Sequence, residues 1–363
     1  MHFPQKIAVL FIATALSLTS FTKPDNSNNF TAQGRTEKLP DGTIALIGSA
    51  SSVTYYFRGT QSSFKVQANN NHHNYIVLEV DGKYEGRKKV ETTVTPFTVT
   101  AKEGITHKVT VYKATEASND AVIFLGAEGL LIPTPKQPVK KKIEFIGDSI
   151  TCGMGNDIQE IPCGTGEWYD QHNAYYSYAP IAARELDANY LLSSVSGIGM
   201  YRNWNDEHIK EAIMPDVYNN LYLNKDSSKP YDHGFKPEVT CIALGTNDFS
   251  DGDGKNPRLP FNEDKYVANY IAFVTNIYKY APDTQVVLLN SPMVSGEKNE
   301  TFIKCLTKVQ RFFNGKKDHK PVKIFTFTAV TPHGCGYHPE IEDDKLMASQ
   351  LAPFLKPLLN EKK

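Results

Sequence analysis

The sequence predicts two regions of different class: an all-β sandwich of the jelly-roll type, then an α/β domain built on a mostly parallel sheet. Three observations predict it. Residues 34–131 hold regularly spaced short strands with no helical period. Residues 131–142, LIPTPKQPVKKK, form a proline- and lysine-rich connector. From residue 143 onward, apolar strands alternate with amphipathic helices. Short strands parted by turn residues mark a sandwich or barrel, whereas strand–helix alternation marks a sheet covered by helices on both faces. The expected layout is a leader over residues 1–24, a sandwich over 30–135 and an α/β domain over 140–363.

The leader is MHFPQKIAVLFIATALSLTSF, in which Lys6 precedes an apolar run over residues 7–18. That is the layout of a secretory signal, and it is shorter than the roughly 20 apolar residues a spanning helix needs. A secreted or periplasmic protein with no membrane insertion after processing is expected. The sandwich strands read as SVTYYFRG, SFKVQA, NYIVLEVDG, FTVTA, HKVTVYKA and AVIFLGAEG, rich in Val, Tyr, Phe and Thr. The connector is stiff and solvated. After it come IEFIG (143–147), a helix over 174–186, NYLLSSVS (189–196) and VTCIALG (239–245). A helix over 264–281 places Tyr266, Tyr270, Phe273 and Ile277 on one face. QVVLLNS (285–291), a helix near 300–314, VKIFTFTA (322–329) and a last helix near 341–359 complete the region. Runs such as VTCIALG are apolar throughout, as befits parallel strands buried on both faces.

The formal net charge of -1 gives no reason to expect a nucleic acid or an acidic membrane as partner. With 19 Tyr and 19 Phe, the chain holds enough apolar material to exclude disorder. There are five cysteines, so at least one is unpaired in a monomer. Cys241, inside VTCIAL, reads as a buried thiol, and the expected pairings are Cys152–Cys163 and Cys305–Cys335. Neither Cys-x-x-Cys nor His-Glu-x-x-His occurs, so no metal is expected. His72 and His73, in NNHHN, read as solvated turn residues.

Four segments carry candidate chemistry. On a parallel sheet, ligands bind outside the carboxyl ends of the strands. FIGDSITCGMGN (145–156) ends its strand there on Asp148 and Ser149. A helix that follows would aim free N–H groups at the same place, and a serine nucleophile needs a base. ALGTNDFSDG (243–252) ends a second strand beside Asn247, whose side-chain N–H₂ suits a developing oxyanion. SSVSGIGMYRNW (193–204) supplies Gly197, where a backbone can approach closely, with Gly199 as the alternative donor. Tyr201 and Trp204, just beyond, either stack on a sugar ring or pack in the core. HGCGYHPEIEDD (333–344) places His338 before Pro339 at a helix entrance, with His333 as its competitor. Taken singly, each segment is also ordinary turn chemistry. Asp148 and Asp248 are expected to fix their turns.

In this order, GDS, a glycine, GTND and a late histidine resemble the SGNH (GDSL) hydrolases. GDSITCGMGN, SGIGMYRN, GTND and the closing GC-x-x-HP are similar to carbohydrate esterase family 2, as is HKVTVYKATEASNDAVIFLGAEG near the end of the sandwich. The resemblance implies a flavodoxin-like three-layer hydrolase domain behind a sandwich. It implies Ser149 as nucleophile, His338 as base, and an oxyanion hole from the N–H groups of Ser149 and Gly197 and the side chain of Asn247. No metal or cofactor is implied. The implied activity is acetyl xylan esterase-like: removal of acetyl groups from an acetylated polysaccharide or oligosaccharide of the xylan or glucomannan class. The competing readings are a lipase or thioesterase for longer acyl chains, an inactive carbohydrate-binding protein, and a metal-dependent deacetylase. In one respect the chain departs from the superfamily pattern. Most SGNH enzymes carry an aspartate three residues before the histidine, where this chain has Cys335. A thiol is a weak acceptor, so a Ser–His dyad with a backbone carbonyl orienting the ring is expected. Glu340 and Asp343 are expected to favour the N-terminus of the last helix rather than the imidazole.

Overall fold

The computed structural model describes residues 29–69, 71–255 and 257–360, so the leader lies outside the described residues. Among these residues no helix is long and apolar enough to cross a membrane.

The N-terminal part is an antiparallel sheet system wrapped around Val53, Tyr55, Phe57, Phe64, Val66, Val109, Val111, Val122 and Phe124. Its spine is the strand Ser52–Ala68, which pairs with Thr106–Lys113 along its first half and with Val122–Ile132 along most of its length. The sequence reading split this spine into SVTYYFRG and SFKVQA. The polar stretch between them stays in the strand but breaks register between Arg58 and Ser62, as a bulge that bends a strand does. The edge strand Lys83–Val90 and the short strands Thr31–Gln33, Thr36–Lys38 and Ile44–Leu46 were not anticipated.

The C-terminal part is a five-stranded parallel sheet. Its order is Asn189–Ser194, Lys142–Gly147, Val239–Ala243, Gln285–Leu289, Lys323–Phe325. The alternation of side chains along a strand divides its core in two. Phe145, Cys241 and Val287 face one layer with Tyr178, Leu351 and Leu355. Ile146, Ile242 and Leu288 face the other with Tyr266, Tyr270, Phe273 and Phe302. The helix Glu263–Tyr280 buries the face predicted for it and is capped by Asn262, whose side chain accepts from Lys265 N–H at 2.9 Å. Fully burying such an apolar side chain contributes about 1.5–3 kcal/mol. The phenol of Tyr266 donates to Leu244 O at 2.6 Å, so its polar tip is satisfied. The helix expected over 174–186 is a 3₁₀ turn, Ala174–Tyr176, followed by Tyr178–Glu185. VKIFTFTA forms a strand only over Lys323–Phe325.

The two parts share a packed apolar boundary. Tyr75, Val77 and Tyr112 of the first part join the same core layer as Phe145 and Tyr178. Arg35, from the first part, is fully buried in the second. Its guanidinium donates to Asn220 O at 2.8 Å, Tyr218 O at 2.9 Å and Ser193 Oγ at 3.1 Å, and it lies 4.2 Å from the centroid of the Tyr231 ring.

Candidate active site

The order of the parallel sheet reverses at Lys142–Gly147, which has the second strand in sequence on one side and the third on the other. A crevice opens outside the carboxyl ends of the strands at such a switch point. Ser149, Gly197 and Asn247 follow the three strands that meet there.

Ser149 opens the one-turn helix Ser149–Cys152. Asp148 caps it, accepting from Ile150 N–H at 3.1 Å. Burial pushes the Asp148 carboxyl up to about 7, opposed mainly by that backbone bond. The Ser149 side chain lies 2.7 Å from Nε2 of His338, 189 residues further along the chain. On the other side of the ring, Nδ1 lies 2.8 Å from Gly336 O. A carbonyl only accepts, so Nδ1 carries the proton and Nε2 is left to accept from the serine hydroxyl. Burial lowers the His338 pKa, with the carbonyls of Gly336 and Cys335 and the charge of Glu116 opposing it.

His338 is held by its loop. Cys335 N–H donates to Gly155 O at 2.9 Å, and Gly334 N–H to His338 O at 2.8 Å. Gly155 has φ +65°, and a Cβ there would stand 2.9 Å from Cys335 Cβ. Cys335 is bonded to Cys163, which overturns both expected pairings; Cys152, Cys241 and Cys305 are buried free thiols. Cys152 and Cys305 sit with no exposed area, inside helices packed on the sheet, where no partner cysteine reaches them.

His333, the competing histidine, points elsewhere. Its Nδ1 lies 2.9 Å from Asp343, whose carboxylate also accepts from the N–H groups of His333 at 2.9 Å and Glu340 at 3.0 Å. Asp343 therefore caps the helix Ile341–Leu358, and no carboxylate among the described residues bonds to His338. His333, Glu340 and Asp343 lie close enough together to hold a cation, but they are at a helix start and away from the serine.

Asn247 is buried, and its amide N–H₂ donates to Ile198 O at 2.8 Å. That bond uses one of its two donors. Gly197 has φ +76°, a region that glycine enters freely. Its carbonyl accepts from Trp204 N–H at 2.9 Å, and its own N–H has no acceptor among the described residues. The N–H of Gly199 is taken by Asn203 Oδ1 at 3.0 Å, which removes the alternative donor. Asp248 accepts from the N–H groups of Met200 at 2.9 Å, Tyr201 at 2.8 Å and Arg202 at 3.2 Å. Burial pushes its carboxyl up to about 6.

That cradle turns Tyr201 inward. It is buried against Phe261 and Tyr266, with its hydroxyl accepting from Asn262 N–H at 3.1 Å. Tyr201 is thus a core residue, the second of the two readings that its sequence position left open. Trp204, beside Gly197, is 47% exposed. Two exposed aromatics escaped the sequence reading: Tyr337, next to His338 and 83% exposed, and Trp168, 50% exposed with its ring edge on His172. His73 is also no free turn residue, since its Nε2 lies 2.6 Å from Asp170 Oδ1. A groove of about 700 Å³ runs past Lys142 and Asn189 at the amino ends of the strands, the opposite edge of the sheet from Ser149.

The switch-point site on a flavodoxin-ordered sheet defines an α/β hydrolase of the GDSL class, and residues 143–351 match the GDSL-like lipase/acylhydrolase family model. Residues 32–135 match the model of the carbohydrate esterase 2 N-terminal region. The chain is 33% identical over 265 residues to an acetylxylan esterase / glucomannan deacetylase of Cellvibrio japonicus, covering 69% of each chain. It is similar to the structure of a family two carbohydrate esterase from Clostridium thermocellum in complex with cellohexaose. That likeness has a TM-score of 0.77 and 28% identity, covering 91% of this chain and 99% of the other. A family two carbohydrate esterase from Cellvibrio japonicus shares the fold, with TM-score 0.80 and 22% identity over 92% of this chain and 96% of that one. The chain belongs to carbohydrate esterase family 2.

Proposed function

We propose that the protein is an exported serine esterase that removes acetyl groups from acetylated plant-type polysaccharide of the xylan or glucomannan class, through a Ser149–His338 dyad. The observation that carries the reading is the 2.7 Å approach of Ser149 Oγ to an imidazole whose other nitrogen is held by Gly336 O. Ser149 Oγ attacks the acetyl carbonyl carbon while its proton passes to Nε2 of His338. The oxyanion meets the N–H groups of Ser149 and Gly197 and the second amide hydrogen of Asn247. Collapse breaks the bond to the sugar oxygen, which takes the proton from His338. Water, deprotonated by His338, then adds to the acetyl carbon, and the adduct breaks its bond to Ser149 Oγ, which takes the proton back from His338 as acetate leaves. Exposed Trp204, beside Gly197, and exposed Tyr337, next to His338 in the chain, support a sugar alcohol as the leaving group, because aromatic faces stack on apolar sugar surfaces. The Cys163–Cys335 disulfide supports export, because such bonds persist in oxidising compartments.

The test is acetate release from acetylated xylan and acetylated glucomannan, wild type beside Ser149→Ala. Release by the wild type and its loss in the variant is the expected result. A wild type that prefers octanoyl over acetyl nitrophenyl esters overturns the acetyl reading.

A further inference from the structure

We propose that Glu116, contributed by the sandwich, is a positioning residue for the oxyanion loop, so that the N-terminal part completes the catalytic site. The inference rests on the esterase reading above. Glu116 is fully buried at the boundary between the two parts. One carboxylate oxygen accepts from Ser196 N–H at 2.7 Å, and the other accepts from Ser118 Oγ. Ser196 immediately precedes Gly197, the donor assigned to the hole. The carbonyl of Gly197 is pinned from the far side by Trp204 N–H at 2.9 Å. The backbone bearing the Gly197 N–H is thus anchored at both ends, and one anchor is a charge-assisted bond from another domain.

Burial, with the nearby charge of Glu116, raises the pKa of the Cys152 thiol, at the end of the turn that Ser149 opens. Glu116 therefore bonds to the backbone that leads into Gly197 and places its charge near the turn that Ser149 opens. Its own backbone is held in turn. Lys113, fully buried, donates to Glu116 O. Asn119 Oδ1 accepts from Glu116 N–H at 3.4 Å, and Asn119 O accepts from Asn74 at 2.8 Å. The remaining bonds of this turn lead back to the sandwich: Thr115 Oγ1 donates to Asn74 Oδ1 at 2.5 Å. A carboxylate so enclosed would be costly to bury without such partners, and the mechanism gives it no proton to move.

The charged and titratable groups that act on His338 are Glu116 from the sandwich, which favours its protonated form, and His172, which itself faces Arg87 and Lys113. This gives a readout that simple bracing would not move. Glu116→Ala, Glu116→Asp and Glu116→Gln are compared with wild type on nitrophenyl acetate, with thermal melting measured in parallel. Glu116→Ala loses about a hundredfold in kcat at little change in KM, the scale of an ångström-level misplacement. Glu116→Asp, which keeps the charge but falls short of Ser196, shows the same split and stands in if the alanine variant does not fold. Glu116→Gln keeps an acceptor for Ser196 and stays within about fivefold of wild type, a deficit far below that misplacement scale. Its kcat/KM acid limb moves to lower pH, because a negative charge near His338 is gone. The proposal is overturned if Glu116→Asp keeps wild-type kcat, or if Glu116→Gln leaves the pH profile in place. An inactive wild type would instead defeat the esterase reading, before any variant is made.

Discussion

The loop from His333 to Asp343 carries two imidazoles in opposite circumstances. His333 is exposed and has a carboxylate partner, Asp343, whose hydrogen bond and charge raise its pKa. Among the described residues His338 bonds to no carboxylate, only to a carbonyl and the Ser149 hydroxyl, and burial lowers its pKa. A motif search for a histidine paired with an acid would select His333, whereas it is His338 that meets Ser149. A base must be neutral at working pH, must present a free lone pair, and must face the hydroxyl. His338 meets all three conditions, and the acid beside His333 works against the first. The carbonyl of Gly336 supplies the tautomer, which is half of what an aspartate does. It lacks the charge that steadies an imidazolium.

The contrast can be broken most forcefully by removing each ring. His338→Ala should cost about 10⁴-fold or more in kcat/KM, because members of a nucleophile–base pair fail as a unit. His333→Ala should stay within about twofold of wild type, well inside the span of surface substitutions. Equal losses in acetate release would erase the distinction. Next in size is Asn247→Ala, which removes an oxyanion donor and should lower kcat about 10²–10³-fold with the fold intact by circular dichroism. The tether comes third. Replacing Cys163 and Cys335 together by serine frees the histidine loop from a link spanning 172 residues. It should cost about 2–5 kcal/mol of stability and about tenfold in kcat, less than an ångström-level misplacement. Dithiothreitol should reproduce that loss in the wild type and do nothing further to the variant. The smallest effect sharpens the comparison. Asp343→Ala should cost about 1 kcal/mol of helix stability through its lost cap and leave kcat nearly unchanged. The kcat/KM profile of both proteins should fall on the acid side, as His338 takes up a proton, with an apparent pKa below the ordinary imidazole value of about 6.5. A profile that moves with Asp343 would return the carboxylate to the mechanism.

Much of this was legible in the residues, for stateable reasons. Parallel strands covered on both faces are apolar throughout, so VTCIALG and QVVLLNS stood out, and the first leads straight to Asn247. The helix Glu263–Tyr280 announced its buried face through its period. The strand Lys83–Val90, KYEGRKKV, did not, because its ladder bonds are made by backbone and its side chains are mostly polar. The pairing of Cys163 with Cys335 depends on two loops meeting in space, which no local spacing encodes. Tyr201 was ambiguous because its direction is set by Asp248, 47 residues away, gathering the N–H groups around it. Glu116, inside ATEASND, looks like turn material, and its partner Ser196 lies 80 residues on.

Arg35 settles how this molecule can be taken apart. Its guanidinium is sealed among Ser193, Tyr218, Asn220 and Tyr231, and Ser193 passes the contact on to Glu144 in the strand Lys142–Gly147 at 2.8 Å. Excising the first 140 residues would strip Glu144 of the Arg35 charge that opposes the cost of its burial and expose the apolar residues that Tyr75, Val77 and Tyr112 cover. A protein engineer grafting the esterase half onto another carrier would have to bring the sandwich along, or rebuild that seam with apolar residues first.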